Sequence, residues 1–129
     1  MDRQKTADYA VYLKAHGYNC AQAVTAALSG ETELDTDTLN KLSAGFCAGM
    51  GTMEATCGSL IGAGMICGLK TGGLRTLSYT RKLISDFKER CGAVTCSELK
   101  QITDGAPLCP CEECVRNAVL SYFSTMYTE

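Results

Sequence analysis

Apolar residues recur along this chain at intervals of three and four, and nowhere alternate over the length of a strand. The first such stretch, roughly Gln4 to Ala15, carries Tyr9, Ala10, Val11 and Leu13 as its apolar stripe. Gly17, after His16, predicts a left-handed stop. Asn19 then caps a second helix over Cys20 to Leu28, with Gln22 completing a capping box, and Ser29-Gly30 ends it. Glu31 to Thr36 is a polar connection. Asp35 or Thr36 caps a third helix through Leu39, Leu42 and Phe46 toward Met50, with a break at Gly49-Met50-Gly51-Thr52. The fourth runs from about Ala55 to Leu69 and stops at Thr71-Gly72-Gly73. The fifth, Leu74 to Arg90, has Leu77, Arg81, Ile84 and Lys88 at helical spacing ahead of Gly92. Thr95 and Glu98 frame a capping box around Cys96 that opens a short helix. A turn at Asp104-Gly105 and the two prolines, Pro107 and Pro110, lead to a last helix from Cys111 to about Tyr127. The pattern predicts an all-α domain over residues 1–129, a helical bundle of about five to six helices with short loops.

Composition narrows the function more than the fold. At 129 residues the chain can bury a real core, so disulfides are not needed to make it fold. Its net charge of −2, with acids and bases interspersed, offers no basic stripe for nucleic acid and no polybasic cluster for a membrane surface. The longest uncharged stretch, Ala55 to Leu69, is shorter than the ~20 residues a membrane span needs. Met1 to Ala15 lacks the unbroken apolar core of a secretory signal, so a reducing cytoplasm is the expected setting. There, nine cysteines point to metal or redox chemistry rather than to structural bridges.

Four of those cysteines open predicted helices. Cys20 follows the cap Asn19, Cys57 follows Thr56, Cys96 sits in the Thr95–Glu98 box, and Cys111 follows Pro110. A helix start offers unpaired N–H groups and the positive end of the peptide dipole, which stabilise a thiolate and are expected to lower its pKa. Cys47 and Cys67 read as mid-helix core packing. Cys91 lies at a helix C-terminus, where a thiolate is disfavoured. Cys109 and Cys114 flank Cys111 in Cys-Pro-Cys-Glu-Glu-Cys, and Cys111-x-x-Cys114 has the spacing of a redox pair or of half a zinc site. His16 is the only histidine and reads as a residue bonding the carbonyls at the end of its helix rather than as a partner for Cys20. Glu54 reads as a solvated break residue rather than a proton acceptor for Cys57. Among the glycines, Gly45-x-x-x-Gly49, Gly58-x-x-x-Gly62 and Gly64-x-x-x-Gly68 place small residues on one helix face. Close helix packing is expected at Gly62, Gly64 and Gly68. At Gly58, beside Cys57, close approach of the backbone to a bound group is the expected role.

Taken in order, Asn19-Cys20-Ala21-Gln22, Gly49-Met50-Gly51, Cys57-Gly58-Ser59-Leu60-Ile61-Gly62-Ala63, Cys96-Ser97-Glu98-Leu99 and Cys111-Glu112-Glu113-Cys114-Val115 resemble the C-GCAxxG-C-C family of redox-active proteins over nearly the whole chain. The resemblance implies four hallmark cysteines, Cys20, Cys57, Cys96 and Cys111, and thiol chemistry. The chain departs from the pattern at Ser59, where the motif has Ala, at Glu54, near which members carry Gly, and at Cys114, where members carry another residue. Two readings follow. In the first, the four thiols converge and cycle between dithiol and disulfide as in a thiol–disulfide oxidoreductase. Cys57 attacks, Cys20 or Cys96 resolves, and a redox partner protein or small oxidant exchanges electrons with them. In the second, Cys20, Cys57, Cys96, Cys111 and Cys114 hold zinc or an iron–sulfur cluster in a protein that is not an enzyme. A third, a plain interaction module with reduced, buried cysteines, is disfavoured by the motif order.

Overall fold

The computed structural model describes residues 2–127, so Met1, Thr128 and Glu129 of the expected 1–129 domain lie outside the described residues. Among the described residues the chain is all-α apart from a hairpin of two short strands, each of two residues. Its helices are α1 (Arg3–Ala15), α2 (Cys20–Ala27), α3 (Thr36–Ser43), α4 (Gly58–Thr71), α5 (Thr76–Cys91), α6 (Cys96–Leu99) and α7 (Cys111–Met126). The hairpin pairs β1 (Ile102–Thr103) with β2 (Ala106–Pro107) across the Asp104-Gly105 turn, whose two residues are both left-handed.

Local chemistry explains most of the boundaries. Asp2 caps α1 by accepting the N–H groups of Gln4 at 2.9 Å and Lys5 at 3.3 Å, one residue earlier than the apolar pattern placed the start. Asn19 and Gln22 form the expected capping box on α2, and Asp35 accepts from Thr38 N–H at 2.7 Å to start α3. Gly17, Gly72 and Gly92 all take the left-handed conformation where α1, α4 and α5 stop. The Thr95 box does not form: the Thr95 side chain makes no cap hydrogen bond, and its backbone instead bridges Thr56. The third helix also ends earlier than expected. It stops at Ser43 and tightens into a 3₁₀ turn over Ala44–Phe46, so Gly45 and Gly49 do not share a helix face.

The core is built around α7, which packs against α1, α5, α4 and α2, while α2 also lies along α4. Val24, Leu39, Ile66, Leu83, Phe87, Leu99, Val115, Val119 and Tyr122 are all buried, each worth about 1.5–3 kcal/mol of transferred apolar surface. Two expected stripes are rotated. On α1 the buried face is Ala7, Ala10 and Leu13, and Tyr9 is exposed. On α5 it is Leu83, Phe87 and Cys91, and Leu77 and Ile84 face outward.

The glycines of α4 divide. A β-carbon on Gly62 stands 3.0 Å from the carbonyl oxygen of Ala21, so the close contact of α2 and α4 requires glycine there. A β-carbon on Gly64 or Gly68 meets only a threonine methyl, at 4.0 and 3.9 Å, which is ordinary contact and not the tight approach expected of them. Gly62→Ala is therefore expected to destabilise the fold by about 1–3 kcal/mol through overpacking. Gly68→Ala is expected to stabilise it by up to ~1 kcal/mol through helix propensity. Urea denaturation of the two variants beside the parent protein checks the opposite signs.

A cysteine-lined cavity as the candidate functional site

Two backbone hydrogen bonds cross the start of α4 with the segment entering α6. Cys57 N–H donates to the Val94 carbonyl at 2.8 Å, and Cys96 N–H donates to the Ala55 carbonyl at 3.0 Å. The pair fixes Cys57, the N-cap of α4, beside Cys96, the first residue of α6. Gly58 then lets the start of α4 settle onto the 44–48 turn: a β-carbon there would lie 2.3 Å from the Phe46 carbonyl oxygen and 3.0 Å from the Cys20 sulfur. Gly58 thus serves close approach, as expected, but what approaches is the chain's own backbone and a thiol.

The result is a cavity of about 250 Å³ lined by six of the nine cysteines: Cys20, Cys47, Cys57, Cys96, Cys111 and Cys114. All four cysteines singled out at helix starts lie on its wall, and Gly58 and Ser59 line it as well. Cys47 corrects the sequence reading. Because α3 ends at Ser43, Cys47 is not a mid-helix core residue but sits in a turn, half-buried, at the cavity wall beside the Cys20 thiol. Cys67 is wholly buried in α4, in the core as expected. Two lysines, Lys14 from α1 and Lys100 after α6, complete the wall. Neither has a sequence signal, because only tertiary packing brings them there. His16 stays outside, its Nδ1 2.7 Å from the Tyr12 carbonyl oxygen, and Glu54 is exposed.

A helix start alone does not make these thiols acidic. Cys57 is pulled from its ordinary 9.0 down to about 6, first by the Cys114 thiol placed to donate to it, against the opposing effect of burial. The backbone N–H groups of Ser59 and Leu60 and the Ser59 hydroxyl add to the pull. Cys20 moves the other way, to about 11, because burial outweighs the Ala48 N–H that favours its thiolate. Cys96 is also raised, by burial first, with the Lys100 ammonium opposing. The expected lowering thus holds for Cys57 and fails for Cys20 and Cys96.

Behind the cavity lies a second set of sulfurs. Those of Cys91, Cys109 and Cys114, all three residues buried, lie within 4.8 Å of one another. Among the described residues this is the group close enough to share a metal ion, and of the five expected ligands it contains Cys114 alone. The sequence reading set Cys91 aside as a thiol at a helix end and took Cys109 only as a flank of Cys111; it did not join them, because the end of α5 and the turn before α7 meet only in the folded chain.

The iodoacetamide reactivity of Cys57 is expected to rise between about pH 5 and 7 and then level off, since its thiolate accumulates as pH passes about 6. Cys114→Ala removes the strongest lowering influence and is expected to move that midpoint up toward 9.0. Were it to reach 9.0, the thiolate fraction at pH 7 would fall from ~90% to ~1%. Mass spectrometry of the alkylated peptide across a pH series reads the midpoint; an unshifted one in Cys114→Ala overturns the assignment.

No curated protein and no solved structure matches the chain. A family model described as "Putative redox-active protein (C_GCAxxG_C_C)" matches residues 18–122, a span that takes in all the cavity cysteines. The match spans most of the chain, and the chain belongs to the C_GCAxxG_C_C family.

Proposed function

We propose that the protein carries out thiol–disulfide exchange at this cavity, with Cys57 as the attacking thiolate and Cys20, Cys96 and Cys111 as the surrounding redox thiols. The observation that carries the reading is the convergence of cysteines from four separate helix starts on one cavity. Cys57 attacks a disulfide, forms a mixed disulfide and releases one thiol. A neighbouring cavity thiol then attacks the Cys57 sulfur, releases the second thiol and leaves an intramolecular disulfide. The protein loses two electrons and the substrate gains them. The substrate class is a disulfide whose sulfur end fits a cavity of about 250 Å³.

One observation favours a metal instead. Sulfurs within 4.8 Å of one another, as in Cys91, Cys109 and Cys114, suit tetrahedral zinc, whose bonds to sulfur are about 2.3 Å long. Exchange is the better supported of the two readings. Cys57, the cavity thiol drawn down to about 6, is not one of the three clustered sulfurs, and the Lys100 ammonium 3.6 Å from the Cys114 sulfur would repel a metal cation there.

The test is reduced protein, prepared without oxygen, mixed with glutathione disulfide while free thiols and metal content are measured. Two protein thiols are expected to be consumed per disulfide reduced, with Cys57→Ser slowing the reaction at least ~100-fold. Stoichiometric zinc or iron, lost in Cys109→Ala, together with an unreactive Cys57, would replace exchange by metal binding.

A further inference from the structure

Cys114 belongs to two sets of thiols at once. It lines the cavity and faces Cys57, and it is also one of the three clustered sulfurs, of which Cys91 and Cys109 do not reach the cavity. Three separate segments contribute to the cluster. Cys91 is the last residue of α5, Cys109 precedes Pro110, and Cys114 lies in the first turn of α7. Polar contacts hold it in place. Lys100 Nζ lies 3.6 Å from the Cys114 sulfur and 3.4 Å from the Cys109 carbonyl oxygen, that carbonyl lies 3.5 Å from the Cys114 sulfur as the acceptor that competes with Cys57 for its one proton, and Asn117 Nδ2 donates to the Cys91 sulfur at 3.4 Å.

We infer that Cys91, Cys109 and Cys114 form a buried store for one disulfide, loaded from the cavity through Cys114. The inference rests on the exchange chemistry proposed for Cys57. It names Cys114, the thiol placed against Cys57, as the first resolving group in place of Cys20 or Cys96.

The steps balance as follows. The Cys57 thiolate attacks an incoming disulfide RSSR′; a Cys57–SR bond forms, the S–S bond of the substrate breaks, and R′S⁻ leaves to take a proton from water. Cys114, whose pKa is pushed up first by Cys109 and then by Cys57, surrenders its proton to the departing RS⁻ as it attacks the Cys57 sulfur. A Cys57–Cys114 bond forms, and RS⁻ leaves with the proton that Cys114 gave up. Cys109 or Cys91, each pushed up to about 12 in the reduced cluster, then attacks the Cys114 sulfur as its thiolate, its own proton passing to solvent, which makes this the slow transfer. The disulfide moves inside the cluster and Cys57 departs as a thiolate. In sum, RSSR′ and two buried thiols become RSH, R′SH and one buried disulfide. The two electrons come from the cluster. Cys57 is regenerated, free to take a second disulfide with the remaining cavity thiols.

The test uses the full chain, reduced and handled without oxygen, mixed with one equivalent of glutathione disulfide, quenched in acid, alkylated and digested without reductant. Fragmentation mass spectrometry locates the bond. The expected product has a disulfide between two of Cys91, Cys109 and Cys114, with Cys57 alkylated as a free thiol. In Cys114→Ala, glutathione is expected to remain on Cys57 or to be displaced by a cavity thiol. The yield of a Cys91–Cys109 bond should then lie at least ~10-fold below the parent's cluster disulfide. The result on the parent protein decides the matter even if that variant does not fold. Glutathione on Cys57, or a Cys57 bond to Cys20 or Cys96, with all three cluster thiols free, overturns the store and leaves exchange at Cys57 standing. A cluster disulfide that forms equally fast in Cys57→Ser overturns the route. A Cys57 that never reacts overturns both the store and the exchange.

Discussion

The distance of closest approach between the first turn of α4 and the turn at residues 44–48 governs the cavity. The Phe46 carbonyl oxygen occupies the place that a side chain at position 58 would fill, and the Cys20 sulfur lies next to it. With hydrogen in place of a methyl group, α4 lies low enough for its N-terminal N–H groups, the Cys20 thiol and Cys47 to share one enclosure. Gly62, one turn further, applies the same condition against the Ala21 carbonyl and so fixes the direction of the helix as well as its depth. The Cys-Gly motif is thus a statement about backbone proximity before it is one about reactivity.

Much of this was legible in the residue order because it depended on local chemistry. Asn19 with Gln22, Asp35, and the glycines at 17, 72 and 92 act within a turn of where they stand, and the helices obeyed them. Cysteines at helix starts were legible for the same reason. What failed was what depended on neighbours. α5 carries apolar residues on more than one face, and periodicity alone does not say that Leu83 and Phe87, rather than Leu77 and Ile84, meet α7. Thr95 has the right partner for a capping box three residues on, yet its backbone is committed to Thr56. Cys47 was misplaced because the break in α3 comes at Ser43, ahead of the glycines that seemed to mark it. Cys91 meets Cys109 and Cys114 only because α5 and α7 run side by side.

The sulfurs show how burial and hydrogen bonding compete over short distances. Cys20 and Cys57 face the same enclosure at the starts of two helices, yet one is driven up and the other down. Backbone N–H groups favour the thiolate of each, those of Ser59 and Leu60 at Cys57 and that of Ala48 at Cys20, but at Cys20 desolvation is large enough to cancel the gain. The outcome turns on the further donor that Cys57 has in Cys114. Ser59, which stands where the family motif has Ala, adds a smaller contribution in the same direction. Departures from the motif therefore tune the site without disturbing the contacts at Gly58 and Gly62.

The segment after Cys47 carries Ala48, Met50 and Met53 with φ of 54°, 60° and 63°, three side-chain-bearing residues in a conformation that disfavours them by about 1–2 kcal/mol each. Met53 lies on the cavity wall, and all three residues are exposed. Glycine at any of these three places would take the same backbone without that cost, so the turn is held by its surroundings and not by the preferences of its own residues.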